Sequence, residues 1–241
     1  MSAKNDLSRR LVAEGLGTAF LLATIVGSGI MGERLAAGNL AIALLANALS
    51  TAAMLYVLIG WFGPFSGAHF NPAVTLLMAA RGDMAWKLVP AYVAIQFVAA
   101  IAGVGIADTM FELPAYSWSQ HIRTGSSQWL SEFVATFGLL GLIWTGSRNR
   151  PNAVPALVAC YIGAAYWFTA STSFANPAVT IARAMTDTFA GIRPADVLGF
   201  LIAQSAGAIA AFALFGWLLP IRAANSTENA RAVSSRVPAE T

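Results

Sequence analysis

The chain has 241 residues, of which 57% are hydrophobic and only 10% charged, and its formal net charge is +3. A soluble domain ordinarily carries about a quarter charged residues, so this composition excludes an ordinary soluble protein and indicates one that lies in lipid. The few basic residues give no nucleic-acid-binding surface. We assign residues 1–220 to one membrane domain and expect the polar residues 221–241 to form a disordered cytoplasmic tail.

Six apolar runs are long enough to span the roughly 30 Å hydrocarbon layer at about 1.5 Å per residue. The first exceeds the length of a signal-peptide core, and no clear cleavage site follows it, so we expect it to remain as a spanning helix. A long outer link is predicted at residues 111–128. The predicted spans are residues 11–31, 40–62, 87–107, 128–144, 153–170 and 195–219.

The tripeptide Asn-Pro-Ala follows the second span as Asn71-Pro72-Ala73 and the fifth span as Asn176-Pro177-Ala178. Each copy lies in a stretch too short to cross a bilayer. Proline suits the first turn of a helix, and an asparagine before it can cap that turn. We therefore predict two re-entrant half-helices, at about residues 71–80 and 176–185, which meet at mid-membrane.

The halves of the chain, about residues 10–110 and 128–220, repeat beyond these boxes. Glu14 aligns with Glu132, and Gln96 aligns with Gln204. Each half has three spans and one half-helix, and an odd number of spans inverts the second copy in the bilayer. The predicted fold class is an all-α membrane protein with six transmembrane helices and two re-entrant half-helices in an inverted 3+3 repeat.

Basic residues favour an orientation with both termini in the cytoplasm. This orientation leaves four basic residues outside, namely Arg34, Arg123, Arg183 and Arg193. The ten on the cytoplasmic side are Lys4, Arg9, Arg10, Arg81, Lys87, Arg148, Arg150, Arg222, Arg231 and Arg236.

Glu14 and Glu132 lie inside predicted spans, where an ionised group costs on the order of 3 kcal/mol or more. One interpretation is a proton relay in a coupled transporter. The other is a pair of buried carboxylates that accept N–H groups from the loops before the half-helices. Since each half has one glutamate, we favour the second interpretation and treat these two residues, with Gln96 and Gln204, as structural.

The remaining candidates for chemistry are few. Protonation of His69 would offer a gate, but we expect its side chain to pack in the re-entrant loop, and we expect His121 to be a loop residue. Cys160 is expected to be a buried thiol that acts as a small hydrophobe. The sequence has no metal-ligand spacing and no nucleophile or phosphate-loop pattern, so we predict no enzyme activity, metal or cofactor.

Asn71 and Asn176 have the strongest functional claim. If both half-helices point their N-termini at one midpoint, their amides and positive dipole ends converge there. Such a point donates hydrogen bonds to a neutral solute and repels cations, including a migrating proton. The alternative, two ordinary caps at turns, does not explain why identical boxes recur in equivalent places.

The chain resembles the aquaporin, or major intrinsic protein, family over roughly residues 10–219. The resemblance is carried by the two boxes, the segment from Ser66 to Thr75, and the paired glutamates and glutamines. It implies a right-handed helical bundle with one pore per protomer and a homotetramer. It also implies that backbone carbonyls line the pore, from Gly67, Ala68, His69, Ser173, Phe174 and Ala175.

Members of this family carry a four-residue selectivity filter, which counting from the boxes assigns to Thr51, Ala164, Ser173 and Val179. Almost all members have arginine where this chain has Val179. Arg183 stands about one helical turn farther along and is not assigned to the filter. The loss of the arginine removes a fixed charge and several donors, so we expect a wide, uncharged filter.

With valine at this filter position, the chain resembles the aquaglyceroporin-like channels of bacterial arsenic-resistance operons. The resemblance implies a passive inner-membrane channel for small uncharged solutes, with arsenous acid and methylated arsenicals ahead of glycerol and water. Three alternatives remain: a general water, glycerol or urea pore, a proton-coupled transporter, and a structural junction protein.

Overall fold

Eight α-helices make up most of residues 3–219, the part of the chain that this computed structural model describes, with side chains from residue 6 onward. This part contains no strand, and the predicted tail, residues 221–241, lies outside it. The helices are α1 (Ala3–Leu35), α2 (Leu40–Ser66), α3 (Pro72–Ala80), α4 (Val89–Met110), α5 (Ser126–Asn149), α6 (Val154–Phe168), α7 (Pro177–Arg183) and α8 (Pro194–Leu218).

Five of the helices, α1, α2, α4, α5 and α8, are long and apolar enough to cross a membrane. The fifth predicted span corresponds to α6, which has 15 residues and follows the 3₁₀ turn Pro151–Ala153. At 1.5 Å per residue α6 is about 22 Å long, shorter than the hydrocarbon layer. It packs along α2 and so occupies the sixth position of the bundle.

The two short helices α3 and α7 begin at the prolines of the Asn-Pro-Ala boxes. Asn71 and Asn176 are their N-caps, with extended backbones, and each side-chain oxygen accepts an N–H group of the first turn. Both short helices pack against α4 and α8, which belong to opposite halves of the chain. The half-helices are therefore held at the junction between the two halves.

The long helices pair in the same way in each half, α1 with α4 and α5 with α8. A glycine lies at each crossing: Gly103 of α4 faces the Ala19 carbonyl, and Gly207 of α8 faces the Phe133 carbonyl. A β-carbon at either position would collide with the facing backbone. Small residues at such crossings let membrane helices approach closely, and the two crossings agree with the inverted repeat.

The outer surface of the bundle is apolar, as the lipid requires. Cys160 lies on this surface of α6 and is exposed, so the prediction of a buried thiol is wrong. Val158 and Ile162 of α6 are buried and face inward, and Cys160, two positions from each, is turned away from them by about 200°. Other exposed apolar side chains are Leu49, Val98, Leu130, Ile209 and Trp217.

Candidate pore

A cavity of about 300 Å³ runs through the centre of the bundle. Along α6 it extends from Val154 to Tyr166, about 18 Å at 1.5 Å per residue. Its wall is mostly apolar, with side chains from α2, α5 and α6, such as Leu55, Leu139 and Val158. Both re-entrant loops and both box asparagines complete the wall, so residues from the two halves meet in one passage.

Asn71 and Asn176 face each other through reciprocal hydrogen bonds at the middle of this cavity. The Asn71 Nδ2 donates to the Ala175 carbonyl at 2.8 Å, and the Asn176 Nδ2 donates to the Phe70 carbonyl at 2.8 Å. The predicted convergence of the two amides is thus present in the geometry. The prolines and alanines of the boxes do not line the cavity; they begin α3 and α7 behind it.

The re-entrant loops have a backbone that L-residues seldom adopt. Ala68 and Phe70 have φ values of 51° and 49°, and Ser173 and Ala175 have 53° and 46°. Each such residue costs of order 1 kcal/mol and persists only where its surroundings hold it. In both loops these residues with positive φ are separated by one residue, which turns successive carbonyls in different directions.

All six residues predicted to present carbonyls line the cavity. The Ala175 carbonyl is already engaged, since it accepts the Asn71 amide. The hydrogen bonds of the described residues use none of the other five carbonyls, so these acceptors are left for molecules in the cavity. They belong to Gly67, Ala68, His69, Ser173 and Phe174.

Two fully buried carboxylates hold these loops. Glu14 accepts the N–H groups of His69, at 3.3 Å, and of Phe70. Glu132 accepts those of Phe174 at 2.8 Å and Ala175 at 2.9 Å. This geometry agrees with the structural interpretation of both glutamates, because each one satisfies donors that no water in lipid would reach.

The paired glutamines link each carboxylate to a half-helix. The Gln96 Nε2 lies 2.8 Å from Glu14 and 2.9 Å from the Thr75 hydroxyl. Gln204 repeats this arrangement with Glu132 at 2.6 Å and the Thr180 hydroxyl at 2.8 Å. Sequence reasoning did not select the two threonines, although their recurrence at the same place in both boxes was a usable signal.

Three of the four predicted filter residues, Thr51, Ser173 and Val179, line the cavity, but Ala164 does not. Ala164 is exposed on the outside of α6, about 200° from Ile162 and Tyr166, which do line it. The assignment of Ala164 is therefore corrected. The Tyr166 hydroxyl lies 3.3 Å from the Thr51 hydroxyl. The aromatic ring of Tyr166 therefore occupies the position that we had assigned to the small side chain of Ala164.

Tryptophan substitutions on the two faces of α6 test this correction. Ile162→Trp places a large ring in the cavity and should lower glycerol flux in proteoliposomes by about tenfold, the effect of only about 1.4 kcal/mol on the barrier. Ala164→Trp is the matched control, since it points outward, and should leave flux nearly unchanged. A block by Ala164→Trp with free flux through Ile162→Trp would restore the original assignment.

Two buried arginines lie around one aromatic ring at one end of the cavity. Arg183, which lines the cavity, places its guanidinium carbon 3.4 Å from the centroid of Phe174. Arg123, from the link between the halves, lies 5.1 Å from the same ring. Burial lowers the pKa of Arg123 to about 10, so it stays charged at pH 7.

The comparison with known protein families agrees with this architecture. The model of the family described as "Major intrinsic protein" matches residues 1–175. The chain belongs to the major intrinsic protein family. As a member of that family it is a passive solute channel in a membrane and not an enzyme.

Individual major intrinsic proteins are also similar to this chain. Aquaglyceroporin AqpS of Rhizobium meliloti (strain 1021) is 56% identical over 214 residues, which are 89% of this chain and 91% of that protein. Aquaporin NIP6-1 of Arabidopsis thaliana is 31% identical over 202 residues, 83% of this chain and 61% of that protein. The X-ray structure of the aquaglyceroporin from Plasmodium falciparum matches with a TM-score of 0.63 and 19% identity, covering 88% of this chain and 95% of that one. This last likeness concerns the fold.

Proposed function

We propose that this major intrinsic protein conducts small uncharged hydroxylated solutes: glycerol, water and arsenous acid, with methylated arsenicals as larger members of the group. The observation that carries the proposal is the apolar cavity interrupted at its middle by the two asparagine amides. An apolar wall offers an ion no groups that replace its hydration shell. A neutral solute loses less hydration free energy when it enters the cavity.

The asparagines supply the hydrogen bonds that such a solute needs. Each Nδ2 carries two hydrogens and uses one of them on a carbonyl of the opposite loop. The second hydrogen is left for a solute oxygen. The unused loop carbonyls accept the solute's own hydroxyl hydrogens, so the passage offers both donors and acceptors.

The size of the solute is set by a filter that we assign to Thr51, Tyr166, Ser173 and Val179. The short Val179 side chain leaves space that an arginine would fill. Arsenous acid is neutral at pH 7 and fits the same donors and acceptors as a small polyol. The similarity to a protein named an aquaglyceroporin supports glycerol as a second solute.

The setting that we propose for the channel is a bacterial inner membrane, with both termini in the cytoplasm, as the distribution of basic residues favours. We also propose a homotetramer with one pore in each protomer. Chemical crosslinking in native membranes, followed by mass measurement of the product, would test the oligomer.

Passive conduction is tested by glycerol uptake into proteoliposomes, with and without an imposed pH gradient. The initial rate should rise linearly with glycerol concentration and should not respond to the gradient. Saturation together with a rate that follows the gradient would favour the proton-coupled transporter, and uptake equal to that of protein-free liposomes would favour a junction protein.

A further inference from the structure

Arg183 combines deep burial with an open charged end. Its side chain is 1% exposed, yet it lines the pore. Its Nε donates to the Ala190 carbonyl, and its plane packs on the Phe174 ring. No hydrogen bond among residues 3–219 uses its two terminal nitrogen atoms, so they are left to face the cavity.

No acidic side chain in the described part of the chain forms an ion pair with Arg183. The ion pairs between residues 3 and 219 join Arg81 to Asp83 and Arg193 to Asp196. Arg123, the other cation on Phe174, is bonded through all three side-chain nitrogens to the carbonyls of Gly191, Ser171 and Phe189. Arg123 therefore builds the wall at this end of the cavity, whereas the two terminal nitrogens of Arg183 have no protein acceptor among the described residues.

The position of Arg183 follows from the helix on which it lies. Val179 and Arg183 are four residues apart on α7, so they share one face, and both line the pore. The turn after α7 fixes the arginine, because Ala190 returns its carbonyl to Nε. The charge thus stands one turn beyond the filter position and does not occupy the space beside Val179.

We propose that Arg183 is the cation-excluding residue of this pore, displaced by one helical turn from the filter. Val179 leaves the filter open to larger neutral solutes, while the Arg183 guanidinium repels small cations, protons included, at the outer mouth. Size selection and charge selection are thereby carried by two different residues; the inference rests on the proposed solute pore.

Two substitutions of similar length separate the charge from the fold. Arg183→Gln removes the charge, and Arg183→Lys keeps it. In proteoliposomes containing a pH-sensitive dye, Arg183→Gln should raise proton and potassium leak by about tenfold or more, whereas Arg183→Lys should stay near the wild-type leak. Glycerol flux should stay within about twofold of wild type in both variants. Arg193→Ala, which removes a cation held by Asp196, is the matched control and should not leak.

The possible results separate the inference from the function on which it rests. Equal leak in wild type and Arg183→Gln, with glycerol flux retained, would overturn the inference. Loss of glycerol flux in both Arg183 variants would also overturn it, since the residue would then act through the fold. Absence of glycerol flux in the wild type would instead refute the proposed solute pore.

Discussion

Replacing Glu132 with alanine should abolish the accumulation of folded channel. Its carboxylate accepts two backbone N–H groups, a serine hydroxyl at 2.6 Å and the Gln204 amide. A buried donor without an acceptor costs about 1–3 kcal/mol, so four of them cost roughly 4 kcal/mol or more. A typical folded protein has only about 5–15 kcal/mol of stability. Size-exclusion profiles of detergent-extracted protein and the midpoint of thermal unfolding would measure the loss.

The other glutamates of the chain provide a graded comparison. Glu14→Ala should also destabilise the channel, because the His69 and Phe70 N–H groups and the Gln96 amide lose their acceptor. Glu33 is exposed, and Glu33→Ala should be neutral. A Glu132→Ala protein that folds normally but no longer couples solute to a proton gradient would make Glu132 a proton carrier and contradict the structural interpretation.

Replacing Val179 with arginine should restrict the larger solutes far more than water. The Val179 side chain is 2% exposed and lines the cavity, so a guanidinium there fills the passage beside the Thr51–Tyr166 pair. An added barrier of only about 1.4 kcal/mol slows passage about tenfold, and we expect at least this loss for glycerol and arsenous acid. Water should be reduced by a smaller factor. Stopped-flow light scattering on proteoliposomes gives both rates.

A matched substitution separates the charge from the length of the new side chain. Val179→Met adds comparable reach without charge or donors, and it should reduce glycerol flux less than Val179→Arg. An equal loss of every solute in Val179→Arg, or no change at all, would argue that Val179 does not belong to the filter.

The structural roles of features that repeat in the sequence could be predicted without the structure. The two Asn-Pro-Ala boxes recur with their flanking threonines, and each half carries one glutamate and one glutamine inside apolar runs. A polar residue in lipid requires a partner, so its place near the loops followed from physical chemistry. The half-helices, with Asn71 and Asn176 as caps, lie where this reasoning put them.

Which residues of α6 face the lipid and which face the cavity could not be predicted in this way. That helix is apolar on both faces, because one faces lipid and the other an apolar cavity, so its sequence contains no amphipathic signal. An ungapped count therefore chose Ala164 instead of Tyr166, and burial was expected for Cys160. Arg183 was left out for a related reason: only the fold reveals that the turn after α7 fixes it in the cavity wall.

The most direct test of the proposed pore is stopped-flow light scattering on proteoliposomes shocked with arsenous acid, with glycerol in a parallel trace. A wide passage for neutral solutes predicts fast shrinkage followed by fast re-swelling in both traces, each faster than in protein-free liposomes. Fast shrinkage without re-swelling would identify a water-selective channel and contradict the filter assigned to Thr51, Tyr166, Ser173 and Val179.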